Sequence, residues 1–275
     1  MKNSYVKNSF EERLDSKSLE IRDLLLEKFK LSGKGHLGSA FSLIELLRVL
    51  FDKYIKFDPQ NNNNRLIISQ GWASLVYYYF LAEAKQIEGN ELDTFIQFES
   101  KLGGCIESTI NGIVASTGSC GHGLPIGVGL AYANKINNNE NKIFVIIGDG
   151  EMGEGSIWEA LMSASRKKLD NLIVIVDYNK IQCSGDVESI TSIEPIKEKI
   201  LSFGFDFFEA NGHSISDLEN IFDVILNTKS NNPKFLVSHS IMGKGLISIE
   251  NSANAHWVGK IDARKLIYFK EELFR

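Results

Sequence analysis

Short apolar segments alternate with amphipathic ones along most of this chain, and this alternation limits the possible folds more than any other feature. Five segments are short and mainly apolar, which predicts strands buried on both faces. They are residues 65–69, 143–147, 172–176, 205–209 and 234–238. Strands of this kind are typical of parallel sheets that are covered by helices.

Helical patterns fill the intervals between these strands. Apolar residues recur at helical spacing in several segments, and small residues interrupt one further helical segment at 118–132, where glycine lets the backbone approach another group closely. The predicted helices are residues 10–31, 42–54, 72–80, 155–168 and 216–227. We therefore expect an α/β fold with a doubly wound, mostly parallel sheet and helices on both faces.

One domain is the simplest organisation for a chain of this size. It has 275 residues, of which 43% are hydrophobic, and open α/β domains reach this length around a single core. Neither an internal repeat nor a linker rich in proline and glycine divides the sequence. We expect residues 1–9 to form a flexible terminus.

Composition excludes some classes of partner. The net charge of -5 and the isoelectric point near 5.6 argue against nucleic acid and against a polybasic membrane surface. The polar amino terminus and the absence of any run of roughly 18 apolar residues favour a cytoplasmic protein. Cys105, Cys120 and Cys183 lack CxxC and metal-ligand spacing, so reduced thiols are expected.

Two polar residues follow neighbouring predicted strands. Asp149 lies in the segment Ile-Ile-Gly-Asp-Gly-Glu, and Asn179 lies thirty residues later in Asp-Tyr-Asn-Lys-Ile. Because parallel strands end at the same edge of a sheet, the two oxygen donors should face one crevice. Magnesium needs about six oxygens, several of which a phosphate or water can supply. The alternative is structural, since Asp often caps helices and Asn often supports turns.

The GDG sequence and the later Asn resemble the thiamine-diphosphate motif, and four further segments narrow the resemblance to transketolases. Together the matched segments extend over nearly all of residues 10–265. The four segments are Gly35-His36-Leu-Gly38-Ser39, Thr117-Gly118-Ser-Cys-Gly121-His-Gly123, Gly150-Glu-Met-Gly-Glu154-Gly, and Met242-Gly-Lys244-Gly245 with His256 eleven residues later.

The resemblance implies a cofactor site. Asp149, Asn179 and the Ile181 carbonyl would hold a divalent ion, magnesium or else calcium or manganese, against the diphosphate of thiamine diphosphate. The remaining cofactor contacts would come from residues of the matched segments. Those residues are Ser39, Trp72, Gly118, Ser119, Cys120, Gly150, Lys244 and His256.

The resemblance also implies catalytic and interface residues. His36 would face the substrate, His256 would contact both substrate and diphosphate, and Glu154 would lie near a dimer interface between two active centres. Structural alternatives exist for each: a neutral core histidine for His36, an exposed loop residue for His256, and a carboxylate stabilised by a helix dipole for Glu154. His213 and His239 lie outside the matched segments, and we interpret both as structural.

Three departures from the family pattern concern the substrate. Trp72 stands where the family usually has a histidine that touches cofactor and substrate, and Gln70 replaces a lysine. Cys105 replaces a histidine that recognises hydroxyl groups of the donor, while His122 replaces a glutamine. An indole has one hydrogen-bond donor and a thiol is a weak hydrogen-bonding group. The predicted activity is therefore ketol transfer on an unusual sugar, one that is non-standard or linked to a carrier.

The resemblance further implies a second polypeptide. In transketolases a glutamate from a following pyrimidine-binding domain assists the cofactor, and the matched segments cover only the diphosphate-binding half. We expect a carboxy-terminal transketolase subunit on a separate chain to supply that domain, in an α2β2 heterotetramer with cofactor at the interfaces. This makes the chain the amino-terminal subunit of a split transketolase.

Alternatives remain open from the sequence alone. The α subunit of a 2-oxo acid dehydrogenase also carries GDG and Asn, although it lacks the GHLGS segment. A fragment similar to deoxyxylulose-phosphate synthase is disfavoured, because that enzyme carries all its domains on one chain. A non-catalytic, cofactor-binding regulatory subunit would explain Trp72 and Cys105 equally well, but it has no physical need to keep the ion ligands.

Overall fold

The computed structural model describes residues 13–57 and 63–275, and its centre is a sheet of five parallel strands. The predicted flexible terminus lies outside the described residues. The seven strands in chain order are β1 Arg65–Ile68, β2 Ile143–Gly148, β3 Leu172–Tyr178, β4 Ile181–Gln182, β5 Gly185–Asp186, β6 Asp206–Asn211 and β7 Lys234–His239. The central sheet has the order β1-β2-β3-β7-β6, and β4 and β5 form a small antiparallel hairpin.

Helices pack on both faces of this sheet, which confirms the predicted doubly wound α/β fold. The helices are α1 Ser16–Ser32, α2 Leu37–Ser42, α3 Ile44–Val49, α4 Ser74–Glu83, α5 Gly123–Ile136, α6 Gly155–Arg166, α7 Val187–Ile190, α8 Ile196–Ser202, α9 Ile215–Asn227 and α10 Ala263–Leu273. A π-helical turn, Leu50–Tyr54, continues α3. None of the helices among the described residues is long and apolar enough to cross a membrane.

Side-chain alternation along the strands explains why the core has two parts. In β2, Phe144 and Ile146 belong to the cluster formed with α1–α4, α9 and α10, whereas Val145 and Ile147 belong to the cluster formed with α5, α6 and α8. Successive residues of a strand point to opposite faces, so a strand covered on both sides must be apolar throughout. Every residue of β2 and β3 is accordingly buried.

The structure corrects several predicted boundaries. The first helix begins at Ser16, where the Asp15 side chain accepts a hydrogen bond from the Ser18 backbone N–H at 2.7 Å. It ends before Gly33, which takes the left-handed conformation that favours glycine, with φ of 73°. The helix expected over 42–54 starts earlier and is divided among α2, α3 and the π turn. In the segment 118–132, the helix begins only at Gly123 and a loop precedes it.

A buried ion pair joins the helices on one face of the sheet. Arg22 of α1 donates from both terminal nitrogens to Glu45 of α3, at 2.6 and 3.0 Å, and both side chains are almost fully buried. His213 lies 2.8 Å from the same carboxylate through Nδ1, and its Nε2 accepts from the Ile241 backbone N–H. Burial alone raises the pKa of Glu45, but Arg22 and His213 hold that pKa well below its usual range. The placement of His213 fits a structural role.

Candidate active site at the carboxyl ends of the central strands

A cavity of about 270 Å³ lies beyond the carboxyl ends of β2 and β3. This edge is where open α/β sheets place their ligands. Most of the residues that the sequence singled out line the cavity, together with several that it did not. The lining residues are His36, Ser39, Gln70, Trp72, Gly118, Cys120, Gly148, Asp149, Gly150, Glu151, Glu154, Asn179, Ile181, Gln182, Cys183, Met242 and His256.

Asp149 and Asn179 lie on the floor of this cavity. They follow adjacent parallel strands, and each is about 95% buried or more. The Asp149 carboxylate accepts hydrogen bonds from the backbone N–H groups of Gly150, at 2.7 Å, and Lys180, so it also caps the short helical turn that follows. The Asn179 side-chain oxygen accepts from the Ile181 N–H at 3.0 Å. Asp149 can therefore cap this turn, and Asn179 can support its own turn, while both residues face one crevice.

The Asp149 carboxyl lies in an environment that disfavours its charge. Burial, and then the neighbouring Asp177 charge, raise its pKa to about 8, and the backbone N–H groups offset only part of this effect. No Lys or Arg of the described residues lines the cavity. No group of three or more His, Cys, Asp or Glu in the same ranges could hold a metal ion. An ion at this site would need amide, carbonyl and phosphate oxygens as well, which is the donor set that magnesium accepts.

Two histidines also line this cavity. The rings of His36 and His256 lie 5.1 Å apart between centroids and meet edge to face. Backbone hydrogen bonds between Gly35 and Val258, at 3.0 and 2.9 Å, hold their segments together. A Cβ atom at Gly38 would stand 2.5 Å from the Ala255 carbonyl oxygen, so only glycine permits this approach.

The two imidazoles are neutral at neutral pH. Burial and then the His256 charge lower the pKa of His36 to about 4, and burial lowers the pKa of His256. The Nδ1 atom of His256 is buried and has no hydrogen-bond partner among the described residues. Buried polar atoms are nearly always paired, so an unpaired one beside a cavity indicates a missing ligand. Trp72 and Trp257 pack on the pair, with Trp257 at 4.6 Å from His36 between ring centroids.

The glycine-rich loop is tied to the GDG segment by a buried carboxylate. Glu151 accepts hydrogen bonds from the backbone N–H groups of Gly121, at 2.7 Å, and Gly148, at 3.3 Å, and from the Ser69 hydroxyl. Cys120 lines the cavity in this loop. Burial, Glu151 and Glu154 raise the pKa of its thiol to about 11, so Cys120 is a neutral thiol rather than a nucleophile.

Three predicted residues are not among those that line the cavity: Ser119, Cys105 and Lys244. Cys105 lies behind the loop, where a Cβ at Gly118 would meet its sulfur at 2.8 Å. Lys244 lines a different cavity near the start of α1, and its carbonyl accepts from Arg22. Lys244 lies between Gly243 and Gly245, which take left-handed conformations with φ of 74° and 99°. The position of Lys244 thus gives no support to the predicted diphosphate contact.

Several lining or supporting residues escaped the sequence reasoning. Met242, two residues before Lys244 in the chain, lines the cavity. Asp177 is buried and accepts a hydrogen bond from Asn179, and Glu151 fixes the glycine loop. Asp177 and Glu151 belong to the two matched segments, so their sequence position was a usable signal. Trp257 directly follows His256 in the sequence, and no sequence motif pointed to it.

The expected role of Glu154 differs from that of the other lining residues. It precedes α6 as the N-cap residue, but its side chain makes no capping hydrogen bond. The side chain is exposed in this single chain and also contributes to the wall of the cavity. Its place directly before α6 fits the helix-dipole alternative, and the predicted interface role stays a prediction.

Fold and cavity together define an α/β cofactor-binding domain, with oxygen donors and a glycine-rich loop at the carboxyl edge of a parallel sheet. The chain matches the family "Transketolase, thiamine diphosphate binding domain" over residues 15–267 and belongs to that family.

The chain is 36% identical over 250 residues to an apulose-4-phosphate transketolase subunit of Phocaeicola vulgatus, covering 89% of this chain and 88% of the relative. It is also 34% identical over 241 residues to the 6-deoxy-6-sulfo-D-fructose transketolase subunit SqwG of Clostridium sp., covering 86% and 87%.

Solved transketolases share this fold. The transketolase of Campylobacter jejuni superposes with a TM-score of 0.85 and 28% identity, over 95% of this chain and 43% of that protein. The transketolase of Leishmania mexicana gives a TM-score of 0.84 and 26% identity, over 96% and 42%. This chain thus spans less than half the length of these solved relatives. The family match leaves no support for the alternative of a 2-oxo acid dehydrogenase subunit.

Proposed function

We propose that this chain is the diphosphate-binding subunit of a two-subunit transketolase, which transfers a two-carbon ketol unit between sugars with thiamine diphosphate. The proposal rests on a single cavity that is lined both by oxygen donors and by imidazoles. Asp149 and Asn179 offer oxygen donors on the floor, and His36 and His256 line the same cavity with neutral imidazoles. The floor suits an ion and a diphosphate, and the imidazoles suit sugar hydroxyls.

A divalent ion, magnesium or else calcium or manganese, completes this floor in the proposal. Asp149, Asn179 and the Ile181 carbonyl would hold it, with Gly150 allowing the backbone to bend close to it. A buried carboxylate and a diphosphate repel each other, and no Lys or Arg in the described part of the chain lines the cavity to separate them. The ion is therefore the group that lets both negative charges share the site.

The cofactor would supply the reactive carbon and the electron sink for ketol transfer, and this chain would bind and orient it. Ser39 lies beside the floor, and the backbone of Gly118, Ser119 and Cys120 would line the aminopyrimidine. The unpaired Nδ1 of His256 is a hydrogen-bonding atom that the bound cofactor or sugar can satisfy. These assignments remain part of the proposal.

His36 and His256 would act on the sugar. Because both are neutral at neutral pH, each can accept a proton from a hydroxyl at one ring nitrogen and donate a hydrogen bond from the other. Trp72 and Trp257 restrict water and fix the plane of the His36 ring through their ring contacts. Positioned proton transfer of this kind typically contributes about 10²- to 10⁴-fold in rate.

A second polypeptide completes the active site in this proposal. Relatives matched over more than four-fifths of their own length carry the names of transketolase subunits, which supports a partner chain. The partner would be a carboxy-terminal transketolase subunit with the pyrimidine-binding domain, in an α2β2 assembly. Glu154 would then lie at the interface between two active centres.

The substrate we propose is a non-standard or carrier-linked sugar. Trp72 fills the cavity wall with an indole, which is larger than imidazole and has one donor. The relatives named above are transketolases for apulose 4-phosphate and 6-deoxy-6-sulfo-D-fructose. Since the described residues bring no Lys or Arg to the lining of this cavity, an anionic end of the sugar would have to bind outside it.

Calorimetry tests the cofactor and partner claims. Thiamine diphosphate is titrated with and without magnesium, into the chain alone and into the complex with its partner subunit. We expect tight binding only when both magnesium and partner are present, because the cofactor lies between two domains. Binding that is equally tight without magnesium would contradict the ion site, and equal binding without the partner would contradict the shared site.

A ketol-transfer assay on the reconstituted complex tests the substrate claim. We expect poor turnover of xylulose 5-phosphate with ribose 5-phosphate. We also expect Trp72→His to raise kcat/KM for that pair by about tenfold, through a smaller ring with a second polar nitrogen. Ordinary transketolase efficiency in the unsubstituted complex would show that the unusual-sugar claim is wrong.

The second candidate is a non-catalytic, cofactor-binding regulatory subunit. Cys105 favours it, because this residue lies behind the glycine loop and leaves no hydroxyl-recognising histidine at that position. Calorimetry and the ketol-transfer assay together distinguish the regulatory subunit from the catalytic one. Tight magnesium-dependent cofactor binding without ketol transfer, over a panel of ketoses that includes branched and sulfonated sugars, would favour the regulatory role.

A further inference from the structure

Asp177 is a buried carboxylate at the end of β3 that joins four separate parts of the chain. Its Oδ2 atom accepts hydrogen bonds from the Ser42 hydroxyl at 2.6 Å, the Gln70 amide at 3.1 Å and the Asn179 amide at 3.2 Å. Its Oδ1 atom accepts from the Ser240 hydroxyl. The side chain is 1% exposed, so these bonds replace water completely.

None of these four donors carries a positive charge. The Asp177 carboxylate therefore has its hydrogen bonds satisfied but its charge unbalanced, and no Lys or Arg of residues 13–57 and 63–275 lines the adjoining cavity. Asp149 adjoins Asp177, because its backbone N–H donates to the Asp177 backbone carbonyl at 3.3 Å where β2 and β3 end side by side. Two buried carboxylates with no cation between them favour binding of a positive ion.

The contact with Asn179 also decides which way that amide faces. A carboxylate only accepts hydrogen bonds, so the Asn179 NH₂ group must point to Asp177. The other end of the amide, the oxygen, accepts from the Ile181 N–H on the side of the cavity. Turning the amide over would place oxygen against carboxylate and NH₂ against N–H, and both contacts would be repulsive.

We propose that Asp177 is a positioning residue of the ion site, which orients the Asn179 oxygen toward the cavity and supplies the second negative charge that balances a divalent ion. This inference rests on the proposed function, because it concerns the same ion. Asp177 acts through Asn179 and through its charge.

Asp177→Asn removes the charge and keeps the shape. The remaining side-chain oxygen can still accept from Ser42, Gln70 and Asn179, and the Ser240 hydroxyl can rotate to accept from the new amide. Mn²⁺ binding is measured by electron paramagnetic resonance on the complex of this chain with its partner, at saturating thiamine diphosphate. We expect the dissociation constant for Mn²⁺ to rise by roughly 10- to 100-fold, as for other partners that orient a metal ligand.

Asp206→Asn is the matched control. Asp206 also accepts from a serine and an asparagine, at 3.1 Å from Asn232, but it lies at the amino end of β6, at the opposite edge of the sheet. Its Mn²⁺ dissociation constant should equal that of the unsubstituted complex.

The outcomes separate this inference from the function on which it rests. If the unsubstituted complex binds no Mn²⁺, the proposed function is wrong. If it binds Mn²⁺ and Asp177→Asn binds it equally well, only the role of Asp177 is wrong. Unfolding without metal provides the last readout. A purely structural role predicts a lower melting temperature for Asp177→Asn without metal, whereas the proposed role predicts loss of the stabilisation that Mn²⁺ adds.

Discussion

Two buried polar clusters in this protein contain similar residues but differ in charge balance. In the first, Glu45 is paired with Arg22 and His213, and the five donor groups of the Arg22 guanidinium are used by Glu45 and three backbone carbonyls. In the second, Asp149 and Asp177 lie close together, and their cavity is lined by no Lys or Arg from the described ranges. The first cluster is complete, and the second requires something that these residues do not supply.

This difference distinguishes a structural cluster from a ligand site. Burying a charge is costly unless it is paired, so a chain keeps an unbalanced pair of carboxylates only where a ligand compensates it. The unpaired Nδ1 of His256 at the same cavity points the same way. Counting hydrogen bonds alone would not distinguish the two clusters, since the Asp177 carboxylate accepts from four donors. The difference lies in whether a positive charge balances the buried carboxylates.

The largest expected effect comes from breaking the balanced cluster. Arg22→Met keeps much of the side-chain volume but leaves Glu45 buried without its main partner. We expect the free energy of unfolding to fall by about 3–5 kcal/mol, as for other broken buried pairs. Chemical denaturation measures this change.

Lys270→Met is the control for Arg22→Met. Lys270 pairs with Asp23 and Glu27 at 2.8 Å each on the surface, where ion pairs contribute roughly 0–1 kcal/mol. A loss for Arg22→Met no larger than that for Lys270→Met would show that the buried pair is not the strong structural contact described above.

Asp149→Asn should have the opposite pattern, a large effect on binding and a smaller one on stability. Loss of a direct ligand should raise the dissociation constant for thiamine diphosphate with magnesium by more than about 100-fold, the upper range for indirect partners. Without ligand, the free energy of unfolding should change by less than about 3 kcal/mol, because the amide loses one of two backbone hydrogen bonds and creates no unpaired buried charge. Calorimetry and denaturation measure the two quantities, and a stability loss matching that of Arg22→Met would remove the distinction between the clusters.

The smallest expected effect is a pH dependence from the histidine wall. The pKa of His36 is lowered to about 4 from 6.5, so between these values the unfolded chain binds more protons than the folded one. The free energy of unfolding of the metal-free chain should therefore fall as pH falls through this window and be unaffected by His36 above it. Partial exposure limits the contribution to the order of 1 kcal/mol. His36→Gln should flatten the decline between pH 6.5 and 4, and an unchanged slope would contradict this account.

The strands were predicted more accurately than the helices. The predicted strand 143–147 is observed as Ile143–Gly148, because a strand buried on both faces must be a continuous apolar run. The helix Ala263–Leu273 was missed, although Leu266, Phe269 and Leu273 have helical spacing and are buried. Its many charged residues obscured a narrow apolar stripe. The helix expected over 42–54 corresponds to Ile44–Val49 and the π turn, and the sequence did not reveal the preceding helix Leu37–Ser42.

Within the candidate site, local motifs predicted which segments reach the cavity better than they predicted which side chains of those segments line it. Residues of the GDG segment and the later Asn reach one cavity, as do His36 and His256. The segment Met-Gly-Lys-Gly was found, but its cavity-lining side chain is Met242 and not Lys244. Two glycines of this segment have left-handed conformations, and a pattern of residue types does not specify the φ angles of a loop.

The sequence by itself determined the parallel sheet and the meeting of Asp149 with Asn179, because neighbouring parallel strands end at one edge whatever the details of packing. Only the tertiary structure decided which groups surround those residues. Ser42 and Asp177 are 135 positions apart in the chain, and the Gly35 bridge to Val258 brings two histidines together. Such contacts depend on how helices and loops pack over the sheet. The charge balance of the carboxylates and the unpaired Nδ1 of His256, which mark this cavity as a ligand site, depend on the same packing.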